Sequence, residues 1–186
     1  MMTATRRTVL ILLAAPRLAL AQATQILDQR HGSVRFTARH MGLFSTTARF
    51  ERFTLRLALD LARTERTRVE ADLDAQSIVH PVPGNTEMLR GPDYFDSTRF
   101  PLARYAGTGA PGGTAERMTI LGTLTMRGVT RPLALEARLA GRDRAGAAFE
   151  ATGELLRSEY GMVADRTITA DAIRLAVSVQ VSLAAG

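Results

Sequence analysis

The three histidines of this 186-residue chain are the first place to look for chemistry. His31 and His40 stand nine apart, an interval that sets them on opposite faces of a regular strand. A bulge at Gly32 would reverse that parity and let both reach one metal ion. Carboxylates lie nearby in the sequence, but no two-histidine helix motif or ligand cluster accompanies them. His40 falls on the apolar side of its segment and reads as a hydrogen-bonded histidine of a core or cavity mouth. His80, beside Pro81, reads as an exposed loop residue. No G-x-S-x-G, H-E-x-x-H or G-x-G-x-x-G element occurs, so the common hydrolase, zincin and dinucleotide signatures are missing. A Ser-His-Asp arrangement assembled from distant positions stays open. The chain contains no cysteine, which removes thiolate nucleophiles, thiolate zinc sites and disulfide frameworks. Nor does it contain lysine: all 24 basic residues are arginine, so P-loop, Schiff-base and Ser-Lys chemistry are excluded with it. The resulting expectation is a protein that is not an enzyme, requires no cofactor and carries no metal site.

A formal charge of +6 would suit nucleic acid or an anionic surface. Arg6, Arg7 and Arg17, however, fall in the first 21 residues, which hold no acid; beyond them 21 arginines face 18 acids. Those arginines are interleaved with acids, as in Arg49-Phe50-Glu51-Arg52. With no Trp and three Tyr, base-stacking platforms are scarce as well. Nucleic acid is not an expected partner. Residues 1–21 read as a secretory signal: basic Met1 to Arg7, apolar Thr8 to Ala15, a break at Pro16, and Ala19-Leu20-Ala21 as an A-x-A cleavage site. Thr5-Arg6-Arg7-Thr8-Val9-Leu10 also fits a twin-arginine export signal, although ordinary secretory signals carry paired arginines too. The expected domain organisation is therefore a signal peptide at 1–21 and one domain at 22–186, soluble outside the cytoplasm.

The elements that must position any site read as strands. Ile173, Leu175, Val177, Val179, Val181 and Leu183 alternate with polar or small residues, the period of a strand with one wet face. The same alternation marks Val34-Phe36-Ala38-His40, Phe53-Leu55-Leu57-Leu59, Val69-Ala71-Leu73-Ala75 and Leu133-Leu135-Ala137-Leu139, and more weakly Phe149-Ala151-Gly153-Leu155. Leu102 to Gly107 and Met118 to Thr125 bring the total to about eight strands. Turn residues such as Gly42, Pro111-Gly112-Gly113, Gly128 and Gly161 separate them. Helices do not alternate with these strands, so the pattern predicts an all-β antiparallel barrel or sandwich. His80 to Pro101 breaks it, because Pro81, Pro83, Pro92 and Pro101 forbid a central strand. That segment reads as a long crossing with one or two short helices, the first capped by Asn85 and the second started by Pro92. Met88, Leu89, Tyr94, Phe95 and Phe100 must pack on something, either the open end of a barrel or its core.

Several stretches together resemble the YceI-like family of polyisoprenoid-binding proteins. Ile26-Leu27-Asp28 with His31, Val34, Phe36 and His40 is similar to the family's first strand. Leu89-Arg90, Asp93, Phe95-Asp96 and Phe100-Pro101 are similar to its central crossing. Gly122-Thr123-Leu124-Thr125 with Gly128-Val129-Thr130-Arg131-Pro132 resembles its strand, tight turn and return strand. Phe149-Glu150-Ala151, Arg157 and Tyr160-Gly161 fall where the family has its penultimate strand and following loop. The likeness runs from about residue 26 to 183. Two positions depart from it: Asn85-Thr86 and Met88 stand where members often carry Arg-Asp and a histidine, and Gln25 stands near the place of an aromatic.

The resemblance implies an extended, eight-stranded, lipocalin-like antiparallel barrel exported to the periplasm or secreted. It also implies a long apolar cavity for an isoprenoid lipid such as a polyprenyl or quinone tail. By inward parity or place in the crossing, the expected lining is Val34, Phe36, His40, Leu57, Met88, Tyr94, Phe95, Leu135, Leu175 and Val177. Ala38, Ala71, Ala75, Ala137, Ala151 and Gly153 leave room inside. The expected partners are an isoprenoid lipid and, transiently, a membrane surface, with the protein a monomer or weak homodimer. The competing expectation is a solidly packed barrel that acts as an envelope interaction or stress-related protein without bound lipid.

Overall fold

A computed structural model describes residues 24–143 and 146–182; the expected signal peptide at 1–21 lies outside them. One eleven-stranded antiparallel sheet curls around a single interior. Its strands are β1 (Gln25–Leu27), β2 (Gly32–His40), β3 (Phe44–Phe50), β4 (Phe53–Ala58), β5 (Arg68–Asp74), β6 (Ile78–Val79), β7 (Leu102–Gly109), β8 (Arg117–Met126), β9 (Val129–Arg142), β10 (Gly146–Leu156) and β11 (Thr169–Ser182). The order across the sheet is β1-β4-β5-β7-β8-β9-β10-β11-β2-β3-β6. A lipocalin-like all-β barrel therefore stands, but with eleven strands in place of eight.

The three additional strands escaped the apolar pattern for physical reasons. β1 and β6 are three and two residues long, too short to show a period. β3 does alternate, but its inward positions are Thr46, Ala48 and Phe50, so half of the apolar signal is missing. These short strands bring the margins of the sheet together. Gln25 in β1 uses its side-chain amide like a peptide group: Nε2 donates to the Ser182 carbonyl at 2.7 Å and Oε1 accepts from the Ser182 N–H at 2.9 Å. At the other margin β6 pairs with β3, Arg49 opposite Val79 and Phe50 opposite Ile78. The Glu51 N–H donates to the Ser77 carbonyl and the Asp74 N–H to the Arg52 carbonyl.

The long crossing holds one helix, α1 (Asn85–Arg90), within the expected one or two. Asn85 is inside it and does not cap it; Gly84 holds the N-cap at φ 80°, a left-handed conformation suited to glycine. Pro92 opens a non-helical turn. The crossing is fixed at several points. Arg90 donates through Nε and Nη2 to the Ile78 carbonyl at 3.0 and 2.7 Å, and Ser97 Oγ donates to the Arg90 carbonyl. Arg127 donates through Nη1 to the Tyr94 carbonyl. The Phe95 ring packs 5.2 Å from Phe36 and 5.9 Å from Phe50. The crossing thus closes over the barrel interior instead of hanging from it.

Candidate ligand cavity

Inside the barrel lies a cavity of about 420 Å³. Side chains that alternate inward along nearly every strand line it: Val34, Phe36 and Ala38 from β2, Leu55 and Leu57 from β4, Val69 and Ala71 from β5, Leu133 and Leu135 from β9, Leu175 and Val177 from β11. All ten residues expected from the sequence stand around this one space, including Met88, Tyr94 and Phe95 from the crossing. Four of the six small residues expected to leave room also face it, Ala38, Ala71, Ala137 and Ala151, and Ala48 and Ala103 join them. Ala75 and Gly153 do not; Ala75 sits in a 3₁₀ turn, and a Cβ at 153 would meet Leu135 Cδ2 at 2.7 Å. The wall therefore stays open where alanines oppose one another and fills where a glycine admits a neighbouring leucine.

The cavity is not uniform along its length. Its polar lining concentrates where the β2–β3 hairpin, the loop before β11 and the crossing meet. His40 ends β2 opposite Thr169 of β11. Its Nε2 lies 2.7 Å from Thr46 Oγ1 and its Nδ1 3.1 Å from Thr169 Oγ1. Tyr94 donates its hydroxyl to Asp165 Oδ2 at 2.6 Å. Burial first, and the adjoining carboxylate second, push the Tyr94 phenol up to about 12. Arg157 is 2% exposed, and its guanidinium donates to three carbonyls: Nε to Ala170, Nη1 to Met162 and Nη2 to Thr169, at 3.2, 3.1 and 3.1 Å. This buried cation clamps the loop that leads into β11.

Among the lining residues, Met88, Asp165 and Ile168 are the exposed ones, so the space opens at this polar end. The hairpin and the loop are tied there by a hydrogen bond from the Met41 N–H to the Ile168 carbonyl at 2.7 Å. His80 is half-buried and lines the cavity, against its reading as an exposed loop residue; β6 pairing on β3 carries it to the mouth. His31 lies elsewhere, with Nδ1 2.9 Å from Asp28 Oδ1. A side-chain hydrogen bond from Arg30 holds the Asp28 carboxyl well below the usual carboxylate range. Among the described residues no three His, Asp or Glu side chains gather in a metal-binding group.

Thr46, Thr169, Arg157 and Asp165 belong to the polar end and were not anticipated from the sequence. Thr46 was findable: once 44–50 is read as a strand, Thr46, Ala48 and Phe50 share a face. Asp165 sits in a loop, where no periodicity speaks for it.

Residues 26–185 match the family model described as YceI-like domain. A Shewanella denitrificans relative named UPF0312 protein is 25% identical over 79% of this chain and 81% of its own length. Protein YceI of Shigella flexneri is 26% identical over 82% of each chain. In structure, BcnA of Burkholderia cenocepacia superimposes with a TM-score of 0.76 at 20% identity, over 84% of this chain and 99% of the other. A polyisoprenoid binding domain from Saccharophagus degradans, implicated in plant cell wall breakdown, superimposes with a TM-score of 0.63 at 11% identity, over 87% and 98%. Those two likenesses carry the fold.

Proposed function

The chain belongs to the YceI-like domain family, and from that premise we propose that it is a non-enzymatic carrier of an isoprenoid lipid, working in the periplasm or outside the cell as a monomer or weak homodimer. The observation that carries this reading is the cavity of about 420 Å³, apolar for most of its length and polar at one open end. Its size falls in the range of small-molecule sites, roughly 300–1,000 Å³. An isoprenoid has the shape and polarity to fill it: a slender branched hydrocarbon tail with one polar end. Burial of apolar groups supplies about 0.8 kcal/mol per CH2, so a few isoprene units give ample gross driving force without a hydrogen bond. The Saccharophagus degradans neighbour, described as a polyisoprenoid binding domain, supports the same ligand class. A solidly packed barrel would leave no such space, which weighs against the lipid-free alternative.

The test is native mass spectrometry of protein exported in its own host, followed by solvent extraction. The expected result is a stoichiometric adduct that extracts as an isoprenoid. Phe36, in van der Waals reach of Phe50 and Phe95, and Val177 on β11 both face the interior. Phe36→Arg and Val177→Arg should each abolish the adduct in a folded protein, since an unpaired charge in an apolar cavity costs several kcal/mol. A lipid-free wild type, under conditions that preserve a loaded control, would overturn the proposal.

A further inference from the structure

We propose that His40, Thr46 and Thr169 form the head-group site of this carrier, and that the head group they take is a neutral oxygen acceptor, a carbonyl or hydroxyl, rather than a phosphate. This inference rests on the carrier reading above. The three residues come from adjacent strands β2, β3 and β11, so the sheet ladder itself fixes their spacing. Both ring nitrogens of His40 are engaged, Nε2 with Thr46 Oγ1 at 2.7 Å and Nδ1 with Thr169 Oγ1 at 3.1 Å. A neutral imidazole has one N–H and one lone pair. One threonine must therefore donate to the ring and the other must accept from it. The accepting threonine keeps its own O–H, whichever tautomer is present. The network thus leaves one hydroxyl donor, on a threonine that lines the polar end of the cavity, with no protein acceptor for its hydrogen among the described residues, and a ligand oxygen is the partner that suits it.

A phosphate fits this end poorly. Tight phosphate sites present forked cations with free N–H groups. Arg157 is the arginine in the cavity wall, and its Nε, Nη1 and Nη2 already donate to the carbonyls of Ala170, Met162 and Thr169. The other ionisable group of opposite sign at this end is the Asp165 carboxylate, which would repel a phosphate. The tail direction follows: the same strands continue from the network into Ala38, Ala48 and Leu175, so the hydrocarbon runs inward and the polar end stays at the mouth.

The experiment is displacement of a fluorescent polyene from delipidated protein by three probes of equal tail length: geranylgeraniol, geranylgeranyl monophosphate and the corresponding hydrocarbon. The alcohol should bind at least tenfold more tightly than the monophosphate. Thr46→Val combined with Thr169→Val should weaken the alcohol about tenfold, as expected for a lost hydrogen bond, and leave the hydrocarbon unchanged. The unchanged hydrocarbon also reports that the variant is folded; Thr46→Val alone, at a half-buried position, serves if the double variant is not. A monophosphate that binds as tightly as the alcohol would overturn the inference, as would valine variants that bind alcohol like the wild type or lose alcohol and hydrocarbon alike. Wild-type protein that binds none of the probes, the hydrocarbon included, would instead overturn the carrier reading and this inference with it.

Discussion

With neither lysine nor cysteine in the chain, the side chains that lose a proton on the alkaline side of neutrality are its three tyrosines. All three are buried. Burial and the Asp165 carboxylate hold Tyr94 up at about 12. Burial alone holds Tyr105 at about 12, where its hydroxyl faces the carbonyls of Ile120 and Leu133 at 3.2 and 3.3 Å. Tyr160 is raised in the same direction, mainly by burial. In the unfolded chain these phenols ionise near 10. Above that pH the unfolded state has released protons that the folded state still binds, so stability falls as pH rises. The stabilisation is complete below about pH 10 and is lost through about pH 12. Each two-unit shift corresponds to roughly 2–3 kcal/mol. Denaturant unfolding at stepped pH, read beside phenolate absorbance, should show this decline, and Tyr94→Phe should remove part of its slope. Constant stability from pH 10 to 12 would contradict the burial of these hydroxyls. At this scale the sequence was readable wherever the inward residue was apolar: Val34, Phe36, Leu135 and Val177 announced themselves by parity. Thr46 did not, because a hydroxyl on the inner face resembles one on the outer face until pairing partners are known.

Two hairpins show how elements are recruited to the site. Met41-Gly42-Leu43 joins β2 to β3, with φ of 50° and 71° at Met41 and Gly42, and Arg127-Gly128 joins β8 to β9 with φ of 52° and 75°. Two left-handed residues in succession make the mirror-image turn whose hand matches strand twist, and asparagine or glycine suits its first position best. Neither hairpin has one there. Arg127 has a use that offsets its strain, since it holds the crossing by the Tyr94 carbonyl. The Met41 side chain is 68% exposed, beside the cavity mouth. Met41→Asn should therefore raise the stability of the fold by about 1 kcal/mol, because asparagine tolerates the left-handed region that methionine resists. The urea midpoint measures it, and a drop would mean that methionine packs in a way its exposure denies. The Gly128 turn and the long strands were legible from punctuation and period. The number of helices in the crossing was not, because proline forbids strands without saying what replaces them.

At the scale of the whole molecule, eleven large apolar side chains are exposed among the described residues, and seven of them lie on the hairpin, the crossing and the loop that meet at the polar end: Met41, Leu43, Phe44, Val82, Met88, Val163 and Ile168. Scattered exposed apolar residues are ordinary, but a group around a cavity mouth marks a surface that meets something apolar. No segment of the sequence could reveal this group, because its members come from a hairpin, a crossing and a loop up to 127 residues apart that only the barrel brings together. If the chain carries a membrane-dwelling lipid, as proposed above, this rim predicts contact with the bilayer itself. An isoprenoid that leaves through water exposes its whole tail, at a cost of about 0.8 kcal/mol per CH2. One that slides from the bilayer into a mouth seated on its surface is never fully hydrated, so the rim would govern the rate of loading rather than its extent. Leu43→Asp with Phe44→Asp places two carboxylates on the rim without touching the cavity wall, to which neither residue contributes. The expected outcome is transfer of a fluorescent isoprenoid from anionic vesicles slowed at least tenfold, with the same occupancy at equilibrium. Equal rates for variant and wild type would place ligand entry in the aqueous phase, whereas lower occupancy at equilibrium would make the rim part of the binding site.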